Sequence, residues 1–129
     1  MDDEQVREIL TRMMTDLDPE AEYEMRHEQD FVADMPQSGE RVRGRDNMRE
    51  FQRNYPPGTL PKFEVRRITG GGDFWTVEAT GDYGGETFYV AIVFEFRDGK
   101  IVHESRYYAQ PFEAPEWRAQ WVEPMEHPR

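Results

Sequence analysis

A chain of 129 residues with eight Phe, six Tyr and three Trp is long enough for one domain with a real core. It has no cysteine, which excludes a disulfide framework, thiolate catalysis and thiolate metal ligation. A formal net charge of −11 argues against both a phosphate-neutralising surface and docking on anionic lipid, so neither nucleic acid nor membrane is expected as a partner.

Val6, Ile9, Leu10, Met13, Met14 and Leu17 recur at three-four spacing and predict an amphipathic helix over residues 3–17. Asp18-Pro19 is a cap followed by proline at the first helical position, so residues 1–28 are expected to hold two helices, the second running from Pro19 to Glu28. DFVADMP reads as a strand, QSGE as a turn and RVRG as a returning strand, a pair over residues 30–43. Gly44 and Asp46 open a third helix over residues 44–54, which YPPG ends. KFEVRRITG, DFWTVEATGDYG, ETFYVAIVFEF and KIVHESRYYAQPF are four strand-like runs separated by GGGD, DYGG and RDGK, which predicts an antiparallel meander over residues 60–112. APEWRAQW predicts a short helix within residues 114–122, with Trp117 and Trp121 as docking anchors, and residues 123–129 read as a loose tail with His127 exposed. Helices first and a sheet second make an α+β domain spanning residues 1–129. No apolar run reaches a membrane-spanning length, and MDDEQVREIL is too acidic for a signal or transit peptide, so a cytoplasmic setting is expected.

The element order, DFVADMPQSGERVRGRDNMREF and DGKIVHESRYYAQPF together resemble the SnoaL-like group of the nuclear transport factor 2-like superfamily. The resemblance covers nearly the whole chain. It implies a cone: a curved antiparallel sheet wrapped around a cavity and plugged by the N-terminal helices. It also implies a cofactor-free site for a small, partly apolar organic molecule and a homodimer formed through the outer sheet face. The fold hosts isomerases, cyclases, dehydratases, epoxide hydrolases and plain binding modules, so the reaction stays open.

Strand residues alternate faces. In ETFYVAIVFEF both sets are apolar, which predicts that both faces of that strand are covered, one by helices and one by a second copy. The resemblance assigns Phe88, Val90 and Ile92 to the cavity. Carrying the even parity across the meander adds Glu78, Thr80, Glu104, Arg106 and Tyr108, and puts Trp75, Val77, Ala79 and Tyr107 outside. Position by position, Arg106 matches a catalytic acid of limonene epoxide hydrolase-like relatives, Glu104 an aromatic lining position, Glu78 an arginine, Thr80 a second acid and Asp34 a water-holding asparagine. Asp34 also lies within a residue of the base of ketosteroid isomerase-like relatives, but Met13, Met14 and Val90 to Ile92 replace their oxyanion hole.

If the protein is an enzyme, the resemblance makes Asp34 the base, Arg106 an anion or oxyanion stabiliser, Glu78 its positioning partner, and Tyr108 a wall or proton donor. In a binding module the same charges only orient a ligand, and in a dimerisation module side chains fill the cone. Asp34, Glu78 and Glu104 facing inward would share the single Arg106 guanidinium, which predicts a raised pKa for Asp34, the one from the remote first strand. Thr80, Phe88, Val90, Ile92 and Glu104 would contact ligand. Patterning alone reads Asp34 differently, because it buries Phe31, Ala33 and Met35 and exposes the residue between them. His27 reads as a solvated or packed helix residue. Three scattered histidines without ligand spacing predict no metal, and ITGGGDF lacks the following helix that a phosphate loop needs.

Overall fold

The computed structural model describes residues 1–57 and 60–125. His127 and the glycine of YPPG lie outside the described residues. In chain order the elements are α1 (Asp3–Asp16), α2 (Pro19–Met25), β1 (Val32–Met35), β2 (Glu40–Arg43), α3 (Arg45–Arg53), β3 (Lys62–Gly71), β4 (Phe74–Tyr83), β5 (Glu86–Arg97), β6 (Lys100–Ala109) and a 3₁₀ turn at Glu116–Trp121. The six strands form one curved, unclosed sheet in the order β2-β1-β6-β5-β4-β3. Helices cover one face, giving the α+β cone.

α1 begins at a capping box: Asp2 accepts from the Gln5 backbone at 2.8 Å, and the Gln5 side chain accepts from the Asp2 backbone at 2.9 Å. Its apolar stripe, Val6, Leu10, Met13 and Met14, is buried against the sheet. α2 starts where Asp18 accepts from the Glu20 and Ala21 backbones, with Pro19 in the first turn. It ends at Met25, short of the expected Glu28, because Arg26 turns extended (φ −97°, ψ 147°) and pairs with Ile101 of β6. The His27 backbone then donates to the Ile101 carbonyl at 2.8 Å. This drags the chain alongside β6, so β1 meets β6 in parallel, with Val32 opposite His103. The strand pair and the meander are antiparallel, as expected from sequence, and the parallel β1–β6 pairing joins the two into one sheet.

Side-chain direction on β4 also departs from expectation. Gly84 and Gly85, both at positive φ (65° and 95°), make the whole loop between β4 and β5 and pair Tyr83 with Glu86. A two-residue loop joins residues of opposite parity, so Trp75, Val77 and Ala79 share a face with Phe94, Ile92 and Val90. That face is the core, and all six are buried. The next turn, Asp98-Gly99, flips parity again, but Phe96 pairs with Ile101 while Glu95 pairs with His103. Val102 is thus the extra residue of a bulge that restores parity, and Glu104, Arg106 and Tyr108 lie opposite Phe94, Ile92 and Val90.

Trp117 and Trp121 are 73% and 71% exposed, and Phe112 before them 81%, so the tryptophans are not docking anchors within this chain. The physical reason is local: a 3₁₀ turn of six residues has no stripe wide enough to seat on the sheet. On the outer sheet face Tyr89, Val93 and Tyr107 are 39%, 38% and 42% exposed.

Candidate active site

The inner end of the cone is occupied by charge. Arg26, at the end of α2, is fully buried and donates three ways: Nε to Glu104 Oε2 at 3.0 Å, Nη2 to Glu22 Oε1 at 3.2 Å and Nη1 to Gln52 Oε1 at 3.0 Å. Its guanidinium also lies 5.1 Å from the centre of the Phe31 ring. Gln52, on α3, donates to the same Glu22 oxygen at 2.7 Å. Glu104 takes Arg106 Nη1 on its other oxygen at 2.5 Å, and Arg106 Nε donates to the Tyr108 hydroxyl at 2.7 Å. One connected chain therefore runs Glu22, Arg26, Glu104, Arg106, Tyr108. Of these five side chains, Arg106 and Tyr108 reach the cavity, and Glu22, Arg26 and Glu104 are buried behind them.

The two carboxylates sit differently. Burial drives the Glu104 carboxyl up, but Arg26 and Arg106 together outweigh it and hold the group below its ordinary range. Glu104 is thus an ionised strut between two guanidiniums. For Glu22 burial is the largest influence and prevails over Arg26 and the Gln52 bond, so its carboxyl titrates high. Glu22 Oε2 is buried without a hydrogen-bond partner among the described residues.

Arg106 and Tyr108 form one wall of a cavity of ≈ 40 Å³. Leu17 and Pro19 from the α1–α2 turn, Met48, Phe51 and Gln52 from α3, Tyr55, and Leu60, Pro61 and Phe63 leading into β3 close the rest. Typical ligand pockets run to about 300–1,000 Å³. The cone expected from sequence is present, and buried side chains fill its deep part, which leaves this small cavity. Beside the cavity, Tyr83 packs edge-on against Phe63, Phe88 and Tyr108 at centroid distances of 5.8, 5.1 and 6.2 Å. Gly81 permits this, because a Cβ there would lie 2.6 Å from the Tyr83 ring. Burial raises the phenol pKa of Tyr55 and of Tyr83, so both are neutral donors.

Of the residues picked out by sequence, Glu104, Arg106 and Tyr108 come together here. Val90 and Ile92 face inward but are sealed in the core, and Phe88 lies behind Tyr83. Asp34 is a correction. It pairs with Ser105 in register and points to the outer face, where Arg41 Nε donates at 2.6 Å and His103 Nε2 lies at 2.9 Å. Those two bonds, Arg41 first, push its carboxyl down from 3.8 to about 2, the reverse of a poised base. Glu78 is a second correction. It is half-exposed on the outer face, bonded to Arg67 rather than Arg106, and held below its usual range by that bond. Thr80, opposite Tyr89, is outside for the same reason of parity.

His27 accepts the Gln29 and Asp30 backbones through Nδ1 and only shapes a turn. Glu22, Arg26 and Gln52 were not singled out by sequence reasoning. The i,i+4 spacing of Glu22 and Arg26 signals an ion pair but not its burial. Among the described residues no group of three or more His, Cys, Asp or Glu could hold a metal ion. No described helix is long and apolar enough to cross a membrane.

Residues 6–104 match the SnoaL-like domain. Comparison with curated proteins finds no match. Among solved structures, an NTF-2 like protein of unknown function from Burkholderia xenovorans LB400 is 40% identical, with 98% of this chain and 99% of that chain covered and a TM-score of 0.82. A protein from Kribbella flavida named provisionally as a ketosteroid isomerase is 23% identical over 97% of this chain and 93% of its own, with a TM-score of 0.85. An LEH-like epoxide hydrolase from M. tuberculosis is 21% identical over 81% of this chain and 80% of its own, with a TM-score of 0.66. At those identities the last two show the fold alone.

Proposed function

The chain belongs to the SnoaL-like domain family, and on that premise we propose that it binds a small, partly apolar organic molecule in the cavity between α3 and β6, without a cofactor. The observation that carries this reading is the placement of Arg106. Its side chain is 11% exposed, clamped by Glu104 and Tyr108, and presented to a wall made largely of Leu17, Met48, Phe51, Pro61 and Phe63. A pinned donor at the end of an apolar slot orients a ligand oxygen at little entropic cost.

A second reading is acid–base catalysis of the isomerase, cyclase, dehydratase or hydrolase kind. Arg106 and Tyr108 side by side favour it, since together they could stabilise an oxyanion. The cavity lining holds no carboxylate and no histidine among the described residues. That leaves no general base in reach and ranks binding first. Ligand-induced thermal shifts over a panel of small carbonyl and carboxyl compounds test the binding reading, with Arg106→Met as control. Shifts that survive Arg106→Met would remove the cavity from the proposal. Turnover of any panel member, lost in Arg106→Met, would promote the catalytic reading.

The occupant proposed for the outer sheet face is a second copy of the chain. Tyr89, Val93 and Tyr107 form its apolar centre, and the Asp34–Arg41 and Arg67–Glu78 pairs lie toward its edges. Sedimentation at low micromolar concentration should give a dimer, and a clean monomer overturns it.

A further inference from the structure

We propose that the cavity takes a small monocarboxylate set against Arg106 and Tyr108, with Glu22, at the far end of the buried chain, carrying the proton that lets the cluster accept a negative charge. This rests on the binding reading above and adds the charge class of the ligand.

The donors come first. Arg106 commits Nε to Tyr108 and Nη1 to Glu104, and its Nη2 makes no hydrogen bond to the described residues. The Tyr108 hydroxyl accepts from Arg106, so its own proton is available to donate. Two donors side by side on one cavity wall match the two oxygens of a carboxylate. The rest of the lining contains no anion to repel it. A cavity of ≈ 40 Å³ is little larger than the roughly 30 Å³ share of one water, so it restricts the ligand to the carboxylate group and about one carbon more.

Charge comes second. The buried cluster holds two guanidiniums, Arg26 and Arg106, and two carboxyls, Glu22 and Glu104. With both carboxyls ionised the cluster is neutral, and a bound carboxylate would leave an uncompensated negative charge out of water. With Glu22 protonated the cluster carries one positive charge, and the ligand neutralises it. Glu104 cannot play this part, because both its oxygens accept from arginines. Glu22 can: it is 3% exposed, one oxygen accepts both donors and the other is buried without any. The groups that face it are Arg26 on its own helix, Gln52 and Tyr55 at the end of α3, and Glu104 and Arg106 on β6. A bound anion beside Arg106 takes up part of that guanidinium's field, which pushes the Glu22 carboxyl further toward its protonated form.

The test uses acetate and its neutral isostere acetamide as probes, the size the cavity admits. Titration calorimetry at neutral pH should show the carboxylate binding about tenfold or more tighter, the usual advantage of a charge-assisted pair. Carboxyl-carbon NMR of Glu-labelled protein, with Glu22 assigned from Glu22→Gln, should show Glu22 protonated in the acetate complex. Arg106→Met should abolish the preference for the carboxylate. Equal affinity for amide and carboxylate overturns the anion class while leaving the binding reading intact. An ionised Glu22 in the complex overturns its role. If neither probe binds at millimolar concentration, the binding reading falls and this inference with it. Should Glu22→Gln not fold, assignment through Gln52→Ala keeps the NMR arm decisive.

Discussion

Replacing Arg26 with Met is the sharpest probe of how this domain tolerates charge in its interior. Methionine keeps much of the side-chain volume over Phe31 and removes the guanidinium. Glu104 then keeps only Arg106, and Glu22 keeps only Gln52. Removing one partner of a buried pair costs about 3–5 kcal/mol, because the survivor stays buried and uncompensated. In a domain of this length that corresponds to a drop of roughly 10–20 °C in melting temperature. Urea unfolding followed by tryptophan fluorescence gives the number directly, with an unchanged m-value showing that the unfolded state is the same. The outer-face control is Arg67→Met, which breaks an exposed pair with Glu78 and should cost no more than about 1 kcal/mol. A fourfold change of Glu22, Arg26, Glu104 and Arg106 to Leu, Met, Leu and Met should recover most of the loss, since apolar replacement of a whole buried ionic set is often neutral or better. If Arg26→Met and Arg67→Met cost the same small amount, the cluster is hydrated in solution and the burial reasoning is wrong.

Three further outcomes follow from placement. Asp34 has its folded pKa below the unfolded 3.8, so its bonds to Arg41 and His103 contribute stability fully above that value and lose it as pH falls toward about 2. Acid unfolding of Asp34→Asn should be flatter than wild type across that window, and an identical acid limb would place Asp34 free in water. Trp75→Ala should cost about 3–5 kcal/mol and Glu78→Ala under about 1 kcal/mol by thermal melts, and the reverse order would restore the opposite parity on β4. Val93→Arg should shift sedimentation from dimer to monomer without altering the melting behaviour of the monomer, whereas a persistent dimer would place the contact elsewhere.

Much of the fold was legible because periodicity and turn chemistry agree in this chain. The three-four stripe of α1, the Asp18-Pro19 cap and the DYGG and RDGK turns each have a local cause that survives in the structure. Facing was less legible. On β6 the even set expected to face inward does so, because the turn flip and the Val102 bulge cancel. On β4 only a flip operates, so carrying the even parity across puts Glu78 and Thr80 inside, whereas they are outside. A hairpin loop of known length carries that information, and the two glycines of DYGG would have supplied it. For Asp34 the simple alternation of Phe31, Ala33 and Met35 was the better guide than family position, since Phe31 and Ala33 are buried. Glu22 and Arg26 were illegible because burial of a charged helix pair depends on what β6 brings opposite. Glu104, 78 residues beyond Arg26, decides it.

The residues on the cone floor limit what the site can do. A carboxylate from β1 facing inward would give an accessible base at the cavity, but here that strand sends Ala33 inward, opposite Glu104, and turns Asp34 to the other face. Glu104 in turn is spent on two arginines. The inward charges therefore organise one another instead of a reactant, and only the Arg106–Tyr108 edge is left facing the cavity. A site with a fixed cation, a phenol donor, apolar walls and no base is suited to holding an anion still. Catalysis at such an edge would need the ligand or a bound water to supply the base. The binding assays with a paired acid and amide are thus the more informative first experiment, because they probe the one charge asymmetry the interior retains.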